Sequence, residues 1–251
     1  IMREKKIATD KGGEGVYHLD VTTTIESHRR NHRVHVISFI LLSTLHHSKS
    51  VAVSESYEFS DTTKKTVPNT NINTLRPQVA LTQLKNRQEW GLYSQNGEDG
   101  IVLWIFSELG ILSTPTKAHQ SRFYVEFGVE DGYECNTRIL RERFGWKGLL
   151  MDGSHTNASI NLRQEFITAE DINHLFSKYN VPSEIDFLSI DIDFNDYWVL
   201  KSILNEGKYS AKVIAIEYNS HVPANESRSI VYNATGGWDG KTDYSGAGTA
   251  A

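Results

Sequence analysis

A single cysteine, Cys135, stands among 251 residues, so no disulfide can close within the chain. Positive charge is scarce as well: 26 Lys and Arg face 31 Asp and Glu, a formal net charge of −5. Eight basic and five acidic residues precede Glu55, which leaves 18 against 26, or −8, for the remainder. Such a surface repels phosphate backbones, and nucleic acid is set aside as a partner. Long apolar runs are missing too. The most apolar stretch, Val34–Leu45, is 12 residues long, where crossing a bilayer takes ~20, so no stable membrane span is expected. Six of the ten histidines, His18, His28, His32, His35, His46 and His47, fall in the first 54 residues, and the others, His119, His155, His174 and His221, keep no ligand spacing. No metal ligands are assigned on that basis. The G-x-G-x-x-G that grips a pyrophosphate on a helix N-terminus is also absent, which disfavours a nicotinamide dinucleotide.

What is present divides the chain into four parts. Residues 1–33 are a polar N-terminal extension without helical or strand period, ending in the basic cluster His28–Arg33. Residues 34–54 read as the h-region and cleavage region of a signal peptide, because a short apolar run follows the basic cluster and precedes small residues at Ser50-Val-Ala52 and Ala52-Val-Ser54. That order implies secretion, with which the triplets Asn157-Ala-Ser, Asn225-Glu-Ser and Asn233-Ala-Thr are compatible. Residues 55–88, rich in Ser, Thr, Asn and Lys, read as a polar linker that buries too little surface to order itself. Residues 89–251 read as the folded domain.

Within it, helix and strand signals alternate. Helices are expected over Ser94–Gly110, Asn136–Phe144, from the capping box Thr168-Ala-Glu-Asp171 to Tyr179, and over Asn195–Glu206. Strands are expected over Phe123–Phe127, Gly148–Asp152, Glu165–Thr168, Ile185–Ile192 and Lys212–Tyr218. Near-continuous Val, Ile and Leu runs between helices argue an α/β fold, a mostly parallel sheet with helices on both faces.

Ligands of such sheets bind beyond the carboxyl ends of the strands. Here those ends are acidic: Glu126, Asp152, Asp191, Asp193 and Glu217. Carboxylates on one rim repel each other, which is tolerated when they meet hydroxyls, amines or a cation; the other use of such acids is to cap helices. Gly128 and Gly132, in the turn after the first strand, would let backbone approach a ligand closely. One acid inside the first strand and another, Asp152, ending the second suit a nucleoside without phosphates, the second accepting ribose hydroxyls.

Phe123-Tyr-Val-Glu-Phe-Gly-Val-Glu-Asp-Gly132, Asn136-Thr-Arg-Ile-Leu, Gly145-Trp-Lys-Gly-Leu-Leu-Met-Asp152, Ile185-Asp-Phe-Leu-Ser-Ile-Asp-Ile-Asp193 and Val213-Ile-Ala-Ile-Glu217 occur in this order. Over about residues 92–220 the chain thereby resembles the FkbM-type S-adenosylmethionine-dependent methyltransferases. The resemblance implies a Rossmann-like class I methyltransferase fold, here without its last strands, and S-adenosylmethionine as cofactor. It implies that Glu126 and Gly128, with Gly132 nearby, lie near the methionine moiety, that Asp152 holds the ribose and that Asp191 faces cofactor or acceptor. Asp193 and Glu217 are the candidate bases for O-methyl transfer to the hydroxyl of a small molecule or glycan. Where the family usually carries Glu-Gly, this chain has Asp193-Phe194.

Two other functions compete. Asp191-Ile-Asp193 ends an apolar strand in Asp-x-Asp, the arrangement by which a metal-dependent glycosyltransferase holds a divalent ion against a nucleotide diphosphate. The same rim also suits a non-catalytic extracellular matrix or binding protein that meets cations.

Overall fold

The computed structural model describes residues 2–9, 15–22, 37–41, 91–95, 97–112 and 122–251. The first three stretches are strands β1 (Met2–Thr9), β2 (Gly15–Thr22) and β3 (Ile37–Leu41). The basic cluster, the cleavage region and the linker over 55–88 lie outside the described residues.

The domain is built on five parallel strands: β4 (Phe123–Phe127), β5 (Lys147–Asp152), β6 (Leu162–Gln164), β7 (Glu184–Ile190) and β8 (Ser210–Glu217). They lie in the order β8-β7-β4-β5-β6. The chain enters at the centre with β4, moves outward through β5 and β6, then crosses to the other side of β4 for β7 and β8. That reversal parts the connections leaving β4 and β7 and opens a crevice at their carboxyl ends.

Helices α1 (Glu98–Glu108), α2 (Arg138–Phe144), α3 (Ile172–Lys178) and α4 (Asp196–Glu206) cover both faces. Because successive strand residues point to opposite faces, each strand feeds two cores. In one, Val125, Phe127, Leu149, Met151, Leu188 and Ile214 pack on Ile172, Leu175 and Phe176 of α3 and on Val199 and Ile203 of α4. In the other, Tyr124, Leu150, Phe187 and Val213 pack on Val102, Leu103 and Phe106 of α1 and on Ile139 and Leu140 of α2. Phe106 anchors this second core, with ring centroids 4.9 Å from Trp146 and 5.5 Å from Phe187 in edge-on geometry.

Several boundaries depart from the sequence reading; α1 opens at Glu98 rather than Ser94 and α3 at Ile172 rather than Thr168. The third parallel strand is Leu162–Gln164 rather than Glu165–Thr168. The apolar pair Phe166-Ile167 pointed to the later residues, but Asn161 takes a left-handed φ of 56° and hands buried Leu162 to the edge of β5. Helix α2 opens at Arg138 rather than Asn136, because the Asn136 and Thr137 N–H groups are held by the Glu126 side chain. The N-terminal extension, read as polar and without strand period, carries β1 and β2; only Tyr17-His-Leu-Asp-Val21 alternates. β3, inside the run expected as a leader, pairs antiparallel with β8 from Ile37 opposite Glu217 to Leu41 opposite Val213.

Gly128 fixes the junction of β4 with β7. Its φ is +69°, its N–H donates to the Met151 carbonyl at 3.0 Å, and a Cβ there would lie 1.6 Å from the Asp191 carbonyl oxygen. Gly128→Ala is therefore expected to destabilise the domain by ~3 kcal/mol or more, combining backbone strain with a clash against main chain that cannot rotate away. Urea unfolding of the variant measures this. A midpoint close to that of the unaltered chain would show that the two strand ends can part freely.

Candidate functional site

A cavity of about 580 Å³ lies beyond the carboxyl ends of β4, β5 and β7, within the size range of small-molecule sites. Its walls are residues 126–131 and 133–136 at and beyond the end of β4, Asp152 and Gly153 at the end of β5, Glu165–Ile167, and residues 191–195 after β7. Gln95 and Glu98 close it from the start of α1, and Gly236–Trp238 from the segment beyond β8. Nine Asp and Glu residues contribute to the lining, and no Lys, Arg or His does.

Of the seven site residues expected from sequence, Glu126, Gly128, Asp152, Asp191 and Asp193 line this cavity; Gly132 and Glu217 do not. Gly132 has φ +77°, and a Cβ there would sit 2.6 Å from Ile160 Cδ1. Gly128 is thus demanded by the backbone packed against it, and Gly132 is favoured by its positive φ.

Glu126 is buried, and its carboxylate is the cap of α2. Oε1 accepts from the Asn136 N–H at 2.8 Å, and Oε2 accepts from the Thr137 N–H at 2.9 Å and the Thr137 hydroxyl at 2.6 Å. Burial is the largest influence on this carboxyl and pushes its pKa up. The bonds from Thr137 and Asn136 pull down without cancelling that push, and the Asp191 charge adds to it.

Asp152, 8% exposed, is held differently. Oδ1 accepts from the Ser154 N–H and hydroxyl, both at 2.8 Å, and from the His155 N–H at 3.1 Å, with His155 Nδ1 also at 3.1 Å. Oδ2 accepts from the Glu130 N–H at 2.9 Å. Burial acts to raise its pKa but is outweighed by the bonds from Ser154, His155 and Glu130, which leave the carboxyl below its usual range. It is charged at neutral pH and pins the loops after β4 and β5 to each other.

Asp191, Asp193 and Glu217 converge: one carboxylate oxygen from each lies within 4.8 Å of the other two. Oxygens so placed are within reach of one cation at metal–oxygen distances of ~2.3–2.6 Å. Asp193 has a left-handed φ of 67°, uncommon outside glycine, where the chain turns from β7 toward α4. Below it, Asp196 Oδ1 accepts the Ile192 N–H at 2.8 Å and secures that turn.

Sequence reasoning missed the far wall. Phe166 and Tyr133, 62% and 67% exposed, stand at the mouth, and neither lies on a periodic face that would have marked it. The segment beyond β8 is drawn in by Asn195 Nδ2 donating to the Asn233 carbonyl at 2.8 Å and by the Gly246 N–H donating to the Phe194 carbonyl at 3.1 Å. A Cβ on Gly236 would lie 2.5 Å from the Phe194 ring. The run Gly236-Gly-Trp-Asp-Gly240 was the available signal for a close-packed loop.

Neither a scan against known protein families nor a search of curated proteins returns a match for this chain.

The Glu126 cap has a measurable pH signature. A carboxyl whose folded pKa is raised contributes most stability below its unfolded pKa, ~4.3, and loses that contribution as pH rises through the folded value. Glu126→Gln removes the titration and sets an amide –NH2 against backbone N–H donors. It is expected to lower stability by ~1–3 kcal/mol at neutral pH and to flatten the decline of stability above the ordinary carboxylate range. Urea titrations from pH 4 to pH 7 on both proteins test this; parallel pH profiles would remove Glu126 as their source.

Proposed function

We propose that the cavity binds S-adenosylmethionine and that the chain is a secreted protein with a Rossmann-like, class I methyltransferase-type domain acting on a hydroxyl acceptor. The observation that carries this reading is the charge of the wall: nine carboxylates and no basic side chain. S-adenosylmethionine brings a sulfonium and an ammonium against one carboxylate, a net positive charge that such a wall attracts. A nicotinamide dinucleotide or a sugar nucleotide brings phosphates of the wall's own sign. The reversal of strand order between β4 and β7, with the cavity at that point, supports the Rossmann-like reading.

Asp152 Oδ2, which accepts one hydrogen bond, keeps acceptor capacity for one ribose hydroxyl; Oδ1 is occupied by Ser154 and His155. The sulfonium supplies an electrophilic methyl group. The chain's own part is to hold an acceptor in line with it, with Asp193 in the wall as the candidate proton acceptor and Glu217 beside it. Calorimetry is expected to show S-adenosylmethionine binding more tightly than uncharged-sulfur S-adenosylhomocysteine, with affinity falling as salt is raised. Asp152→Asn is expected to weaken binding by about tenfold, or ~1.4 kcal/mol. A folded wild-type protein that binds neither compound overturns the reading.

The convergence of Asp191, Asp193 and Glu217 favours a second reading, an extracellular binding protein whose rim takes a divalent cation. Titration with Ca²⁺ and with Mn²⁺ separates the two. On this second reading the wild type binds one ion and Asp193→Asn loses at least tenfold in affinity, because one of three anionic ligands becomes neutral. Sugar-nucleotide binding that depends on Mn²⁺ would instead turn the site toward glycosyl transfer.

A further inference from the structure

We propose that Asn157, Asn225 and Asn233 are N-glycosylation sites and that their glycans stand around the cavity end of the sheet. The inference rests on the secretory part of the function proposed above. Each asparagine opens an Asn-x-Ser/Thr triplet without proline, and each is exposed. Asn157 lies in the loop leaving the carboxyl end of β5, and Asn225 and Asn233 in the segment leaving the carboxyl end of β8. The connections at the opposite end, residues 145–146, 179–183 and 207–209, carry no such triplet; Asn180-Val-Pro there is not an acceptor.

Local geometry leaves the reacting atom out of the folded framework. At Asn157 the turn is held through the side-chain oxygen, Oδ1 accepting from the Ser159 N–H at 3.1 Å and the Ser159 hydroxyl at 2.7 Å. At Asn233 the same oxygen accepts from the Thr235 N–H and hydroxyl, both at 3.2 Å. Asn225 sits in an exposed turn closed by the Glu226 N–H donating to the Pro223 carbonyl at 2.9 Å. Asn233 is also part of the cavity's surround: its carbonyl holds Asn195 Nδ2, and its Cβ lies 3.1 Å from where a Cβ on wall residue Gly236 would stand. A glycan at Asn233 therefore rises beside the mouth.

The transfer itself uses a polyprenyl-diphosphate-linked oligosaccharide and the host's oligosaccharyltransferase. A bond forms between asparagine Nδ2 and the anomeric carbon, the bond from that carbon to the diphosphate oxygen breaks with its electron pair, and the amide nitrogen gives up one proton to an enzyme base.

The test expresses the full chain in eukaryotic secretory cells, once behind its own N-terminal sequence and once behind a proven leader. Protein from the medium is treated, still folded, with peptide N-glycosidase in heavy-oxygen water, which converts each glycosylated Asn to a marked Asp. All three positions are expected to be marked, and N157Q, N225Q and N233Q each to remove one glycan and leave the other two. An unmarked asparagine in protein secreted behind the proven leader overturns the assignment there, and three unmarked overturn the proposal. Glycans released only after denaturation overturn the placement on exposed loops. Glycans behind the proven leader together with an unmodified intracellular chain behind the native sequence overturn the secretory reading, and with it glycosylation of the native chain, while showing the three asparagines to be competent acceptors.

Discussion

The contact between the ends of β4 and β7 is the constraint on which the site depends. Two parallel strands lie side by side while the chains leaving them depart in opposite directions, so the main chain of one must turn away directly against that of the other. Gly128 makes this possible, with a left-handed φ and no side chain to meet the Asp191 carbonyl. Everything at the cavity floor is measured from that point. Glu126 sits two residues earlier, where its carboxylate reaches the N–H groups of Asn136 and Thr137 just before α2, and Asp191 and Asp193 follow the end of the facing strand.

The acids of the domain differ in how far the fold uses them. Glu126, Asp99, Asp186 and Asp196 are consumed by the fold. Asp99 Oδ2 accepts the N–H groups of Leu92, Tyr93 and Ser94, and Asp186 accepts the Phe123 N–H while pairing with Arg122 and Lys212 at the far end of the sheet. Such acids replace the water that orphan backbone donors would otherwise need. Asp152 is intermediate, with one oxygen saturated and the other lightly used. Asp191 and Asp193 face the cavity and, with Glu217, form the only three-residue acidic or His/Cys grouping among the described residues that meets the geometric requirement for a shared ion.

Much of the layout was legible because the strands are buried on both faces and write themselves as unbroken apolar runs. β4, β5, β7 and β8 fall within two residues of expectation, and Gly145 and Gly207 stop α2 and α4 as left-handed caps. Of the five acids to which the crevice rule pointed, Glu126, Asp152, Asp191 and Asp193 line the cavity and Glu217 does not. Legibility failed where tertiary contacts overrode local pattern. β6 is placed by a turn at Asn161 and not by the apolar pair after it, and α1 starts at Glu98 because Asp99 organises the residues before it as a loop. The wall formed by Gly236–Trp238 arises from hydrogen bonds spanning about forty residues, such as Asn195 to Asn233, which no local window contains.

Strand β3 closes one edge of the parallel strands. As a strand, Ile37–Leu41 covers the outer edge of β8 over its last five positions, from Val213 to Glu217. Without β3 the outward N–H and C=O groups of β8 would be open, and an open edge is a template for a strand from another molecule.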